Sequence, residues 1–64
     1  MEAEIMADLD RASRAAVGLD PDARSLCIEW DTHARRFLDE GRFAAARLFA
    51  DRVLREVGLN PVEA

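Results

Sequence analysis

Glu29 and His33 stand four residues apart, and His33 is the only histidine in the chain. On a helix, side chains at i and i+4 share a face, so this carboxylate and imidazole are neighbours there. Such a pair can share a proton or supply two ligands to a metal ion. A structural zinc site needs about four ligands and a catalytic one about three plus a water. Asp22, Cys27 and Glu40 are the residues that could extend the set, but no paired-ligand motif of the HExxH kind is present. No metal is therefore assigned within one chain. A carboxylate–histidine helical bundle that completes a metal site by oligomerisation remains an alternative, because symmetry doubles the ligands. A reactive Cys27 would need a lowered pKa, and its acidic neighbours Glu29 and Asp31 push the other way. It reads as a small buried apolar residue. The hydroxyls Ser13, Ser25 and Thr32 lie inside or at the start of helical segments, with no strained elbow or supporting triad. Asp8/Asp10 and Asp39/Glu40 read as solvated surface pairs. With glycine confined to breaks, no loop can cradle a phosphate. The chain reads as non-enzymatic, with no catalytic residue and no cofactor.

The totals narrow the class. A chain of 64 residues holds one domain, here spanning 1–64. A domain this small buries only about 60% of its unfolded surface and usually needs a staple or a partner. One cysteine forms no intramolecular disulfide, and with no secretory segment it fits a reducing cytoplasm. Thirteen acids face nine bases, giving a net charge of −4. This balance opposes nucleic-acid binding, which rests on a basic patch. All the bases are arginine and alanine is abundant, which points to a GC-rich bacterial genome. No apolar run approaches the roughly 18 residues of a membrane span. Glu2, Glu4, Asp8 and Asp10 make the first segment unlike a signal or transit peptide.

These residues must be positioned by helices. Apolar residues recur at helical spacing three times, and no segment alternates with period two. The stripes are Ile5, Met6, Leu9, Ala12, Ala16 and Val17; Ala23, Leu26, Cys27, Trp30, Ala34, Phe37 and Leu38; and Phe43, Ala46, Ala50, Val53, Leu54 and Val57. The pentapeptide VGLDP at 17–21 nearly repeats as VGLNP at 57–61. In each copy glycine can close a helix in the left-handed conformation. Asp20 and Pro21 then offer an N-cap and a first helical residue, whereas Pro61 stops the helix from resuming. A third break, Asp39-Glu40-Gly41, is so short that its flanking helices must lie antiparallel. The expected fold is an all-α three-helix bundle with a C-terminal antiparallel helical hairpin. Its helices run at about 3–17, 21–39 and 42–57. Leu9, Leu26, Trp30, Phe37, Phe43, Val53 and Leu54 are its expected core.

The order Trp30, Ala34, Phe37, Gly41, Phe43, Ala46, Val53 resembles a tetratricopeptide repeat over residues 21–61. Small residues let two helices approach while aromatics fill the space beside them. The departures are His33 where the family has leucine, Ala50 where it has a bulky residue, and a repeat distance of 40 instead of about 34. The resemblance implies a stacked helical hairpin, of a kind that normally needs about three repeats to stand alone, where this chain offers about one and a half. Helix 1 with VGLDP would then match the second helix of a preceding, truncated repeat. The same five letters also serve as a plain helix stop used twice, and both readings give three helices.

Two large apolar residues lie off their stripes. Ile28 projects among Arg24, Asp31, Arg35 and Asp39, and Leu48 lies opposite the helix 3 stripe. Phe49 sits on the margin. These three form the candidate partner interface. The expected role is a small non-catalytic protein–protein interaction module, a homo-oligomer or accessory subunit. A small DNA-associated regulator, antitoxin-like, is the other alternative; Arg42, Arg47, Arg52 and Arg55 fall on one helix, but they are scattered around it and interrupted by Asp51 and Glu56, whereas a recognition helix aims neighbouring side chains into one groove.

Overall fold

Asp20 starts the longest helix as expected from its type: its carboxylate accepts from the backbone N–H of Ala23 at 3.3 Å, and Pro21 takes the first helical position. The computed structural model describes residues 2–59. It is all-α, with α1 over Glu2–Ala15, α2 over Pro21–Asp39 and α3 over Phe43–Val57, and no strand among the described residues. The helices form a three-helix bundle in which α2 and α3 make the antiparallel hairpin, and α1 lies mainly against α3.

The helix ends separate the two copies of the repeated pentapeptide. Gly58 has φ of 78°, its N–H donates to the carbonyl of Arg55 at 3.2 Å, and the N–H of Leu59 donates to that of Leu54 at 2.9 Å. These are the two bonds of a Schellman ending, with Leu59 folded back onto the core that contains Leu54. Gly18 does not repeat this. It has no positive φ; α1 stops at Ala15 and runs into a 3₁₀ turn over Ala16–Gly18, closed by Leu19 N–H to the Ala16 carbonyl at 3.0 Å. The left-handed glycine expected there is corrected. A tighter turn suits a segment whose next task is to present Asp20 as a cap. Pro61 lies outside the described residues.

The turn between α2 and α3 is a second Schellman ending. Gly41 has φ of 73°, its N–H donates to the carbonyl of Leu38 at 3.0 Å, and the N–H of Arg42 donates to that of Phe37 at 2.8 Å. The apolar contact that usually closes this motif is replaced by the Arg42 guanidinium, 5.0 Å above the Phe37 ring.

The core is small and built on alanine. Ile5, Leu9, Ala34, Leu38, Ala46 and Ala50 form one cluster; Ala12, Ala16, Cys27, Val53 and Leu54 form the other. Alanine at the crossing points lets the helix axes approach closely. The expected core is corrected at two places: Leu26 and Phe43 are 39% and 36% exposed. Trp30 and Phe37 are half-buried, packed on the rims of the two clusters. The short axis of the molecule is 14 Å between Cα extremes, the depth of two helix layers, since one helix is about 4.6 Å across its Cα atoms and packed axes lie about 8–10 Å apart.

Asp8 overturns the surface reading of the Asp8/Asp10 pair. It is fully buried, with Oδ1 3.1 Å from Arg11 and Oδ2 2.7 Å from Arg47 on α3. Arg47 also meets Asp51 at 2.8 Å. Asp10 is exposed and reaches α2, where Arg35 pairs with it at 3.0 Å and with Asp31 at 2.9 Å. Each flank of α1 is thus fastened to a different helix by charge.

Candidate protein-interaction face

Arg35 and Arg47 mark the side of the hairpin that α1 covers, because both reach carboxylates on α1. His33 and Phe49 stand two residues from them in sequence, about 200° around each helix, and so point to the opposite side. On that side the two helices meet through rings. His33 and Phe49 have centroids 5.5 Å apart, and Phe37 stacks on Phe49 at 5.6 Å. The Arg52 guanidinium lies 5.1 Å over Phe49, beside the Arg42–Phe37 contact. These rings are half-buried. Leu48 at 54% exposure and Leu26 at 39% extend the apolar area along the same side.

Of the three candidate interface residues, the structure brings Leu48 and Phe49 together on this outer hairpin face and sets Ile28 elsewhere. Phe49 also anchors the face, packing on the cluster that holds Ala46 and Ala50. Ile28 is 60% exposed and lines a groove of about 380 Å³ between the end of α1 and the start of α2. Ser13, Ala16, Val17, Cys27, Asp31 and Val53 share that groove with it. Sequence reasoning does not single out Trp30, Phe37 and His33 as parts of the outer face, since it assigns the first two to the core. Their signal is the spacing: positions 30, 33 and 37 form one stripe beside the buried 27, 34 and 38.

The residues with chemistry to offer are largely committed to local or structural contacts. Cys27 is 2% exposed, and burial pushes its thiol above the usual value, with the Glu56 carboxylate adding to the effect. Thr32 donates its hydroxyl to the Ile28 carbonyl at 2.9 Å, a local helix contact. His33 rests on Phe49, and no group of three His, Cys, Asp or Glu side chains among the described residues could hold a metal ion. Burial opposes the charge on Arg47, but Asp8 and Asp51 outweigh it and raise its pKa. For Arg35 the hydrogen bond to Asp31 leads in raising the pKa, with Asp10 adding to it. These two arginines are committed to holding the helices together. No described helix is long and apolar enough to cross a membrane. Compared with known proteins, the chain matches no family model, no curated protein and no solved structure.

Proposed function

We propose that this protein is a non-catalytic protein–protein interaction module that works through the outer face of the α2–α3 hairpin, as a homo-oligomer or as an accessory subunit. The observation that carries the reading is the strip of half-buried rings at Trp30, His33, Phe37 and Phe49, flanked by exposed Leu26 and Leu48. Aromatic residues and arginine set on a packed base are what protein interfaces use as anchors. His33, Phe37 and Phe49 are held by contacts with each other and with Arg42 and Arg52, and Trp30 packs on the cluster that holds Val53 and Leu54, so a partner meets a preorganised surface. The likeness of the hairpin to a tetratricopeptide unit is supported by Ala34 and Ala46, both fully buried. A single buried cysteine is in keeping with a reducing cytoplasm as its compartment.

Leu48→Asp tests this reading. It puts a charge in the strip without touching the buried core, so far-UV ellipticity and melting should stay close to wild type while association is lost. Ile28→Asp, in the groove, is the matched control and should leave association intact. Association that survives Leu48→Asp unchanged would overturn the assignment of the face.

A further inference from the structure

We propose that the occupant of the outer hairpin face is a second copy of this chain, docked antiparallel about a two-fold axis that crosses the His33–Phe49 ring contact. The inference rests on the reading of that face as an interaction surface and adds what fills it.

Charge is placed on this face in matched pairs. Glu29 and Arg36 are seven residues apart on α2, two helical turns and about 10 Å, so they share one stripe. Their midpoint falls between positions 32 and 33. Arg42 and Glu56 are fourteen residues apart along α3, about 21 Å, and their midpoint is Phe49. His33 and Phe49 touch at 5.5 Å, so the two midpoints lie at one level of the hairpin. The basic member of each pair is at the turn end and the acidic member at the open end.

A two-fold axis across the helices at that level lays α2 on α2 and α3 on α3, each running in reverse. Arg36 then faces Glu29 of the second copy, and Arg42 faces Glu56 of the second copy, four charge pairs in all. Leu48 and Phe49 fall next to the axis and meet their own counterparts. Arg52, three residues from Phe49, is carried to the level of Ala46 and does not meet itself. The alternative two-fold, along the helices, lays α2 on α3 of the second copy with both turn ends together, so the basic residues Arg36 and Arg42 of the two copies crowd at one end, which is repulsive. A two-fold interface must be complementary to itself, and this charge pattern is.

The charges are available for this use. Glu29, Arg36 and Glu56 are exposed, and no ion pair among the described residues engages them. Arg42 lies over Phe37, which keeps its charge on this face. Its contact with Glu40, at 3.6 Å between two exposed groups, is of the weak kind. A 14 Å thickness leaves the hairpin with one side uncovered, and a second hairpin would complete a four-helix layer.

The experiment is light scattering after gel filtration on the full chain over a concentration series, with circular dichroism on each fraction. The variants are Glu29→Arg, Arg36→Glu and the double swap. Wild type should show twice the 7.2 kDa chain mass. Each single reversal should raise the dissociation constant by about tenfold or more, and the double swap should return it to within about threefold of wild type. That rescue is specific to antiparallel self-docking. A dimer indifferent to the single reversals, or a double swap no better than the singles, would overturn the proposal. A monomer at every concentration would also overturn it. In that case the broader interaction reading is judged separately, by whether wild-type and Leu48→Asp baits differ in what they retain from native-cell extract. That reading fails if they do not.

Discussion

Asp8 is where a single residue decides how a helix sits. A buried carboxylate is costly unless a cation and hydrogen bonds accompany it. Arg47 supplies that cation from across the bundle, and Arg11 from the next turn. Asp8→Ala should therefore destabilise the protein by about 2–3 kcal/mol, less than a fully sequestered pair would lose, because Arg47 keeps Asp51 and some contact with water. Thermal melting measures it. Replacing both partners, Asp8→Leu with Arg47→Met, should recover most of the loss, since apolar substitutes of similar volume often match a buried ion pair. Hydropathy alone puts Met6 on the inner stripe and Asp8 outside it, yet Met6 is 42% exposed and Asp8 has no exposed surface. The two lie on opposite margins of the line through Ile5, Leu9 and Ala12, and Arg47 settles which margin turns inward. Because Arg47 is thirty-nine positions away, no local pattern in α1 carries that information.

Cys27 supplies a second test at this scale. Its folded thiol titrates above the ordinary value of 9.0, first through burial and then through Glu56. The neutral thiol is the form that fits, so its contribution to stability is complete below 9.0 and is lost as pH rises through the raised folded value. The urea midpoint should fall over that interval in wild type, and Cys27→Ala should remove that part of the fall. A wild-type midpoint no more pH-dependent than that of Cys27→Ala would contradict the assignment.

Elements differ in how plainly their ends are written. Gly58-Leu59 is readable as a Schellman ending because all its determinants lie within six residues. Asp20-Pro21 is legible for the same reason. Gly18 carries the same letters as Gly58 and takes another conformation, because it leads into a capped helix whose entry angle is fixed by α2. The two glycines should therefore respond oppositely to alanine. Gly58→Ala forces a side chain into the left-handed region and should cost about 1–2 kcal/mol. Gly18→Ala meets no atom within 4 Å and has no positive φ. It should be neutral, or stabilising by up to about 1 kcal/mol, through a less flexible unfolded chain. Chemical denaturation of the two variants side by side gives the comparison. The outer face is legible in part: Leu48 announces itself by lying off its stripe. Trp30 and Phe37 do not, since a residue on the margin of a stripe is buried or exposed according to how many helices surround it.

At the scale of the molecule, that number is the controlling quantity. Three helices arranged 14 Å thin cover each other on some sides only, and the hairpin keeps one side open. The α2–α3 pair is joined by a turn of a few residues, whereas α1 finds its main partner in α3, past the whole of α2. Local contacts form at small entropic cost and distant ones at larger cost. Native-state hydrogen exchange should accordingly give α1 amides weaker protection than the central amides of α2 and α3. Equal protection in all three would show instead that the bundle opens only as one unit.

The clasp between Asp8 and Arg47 also has a consequence in time. A ribosome makes α1 before α3, so the carboxylate destined for the interior is synthesised well ahead of the arginine that makes burying it tolerable. Until Arg47 is made, α1 can reach the hairpin by charge only through the exposed Asp10–Arg35 pair, and Asp8 has no cation from across the bundle. The first helix to be made thus docks fully only once α3 has been made.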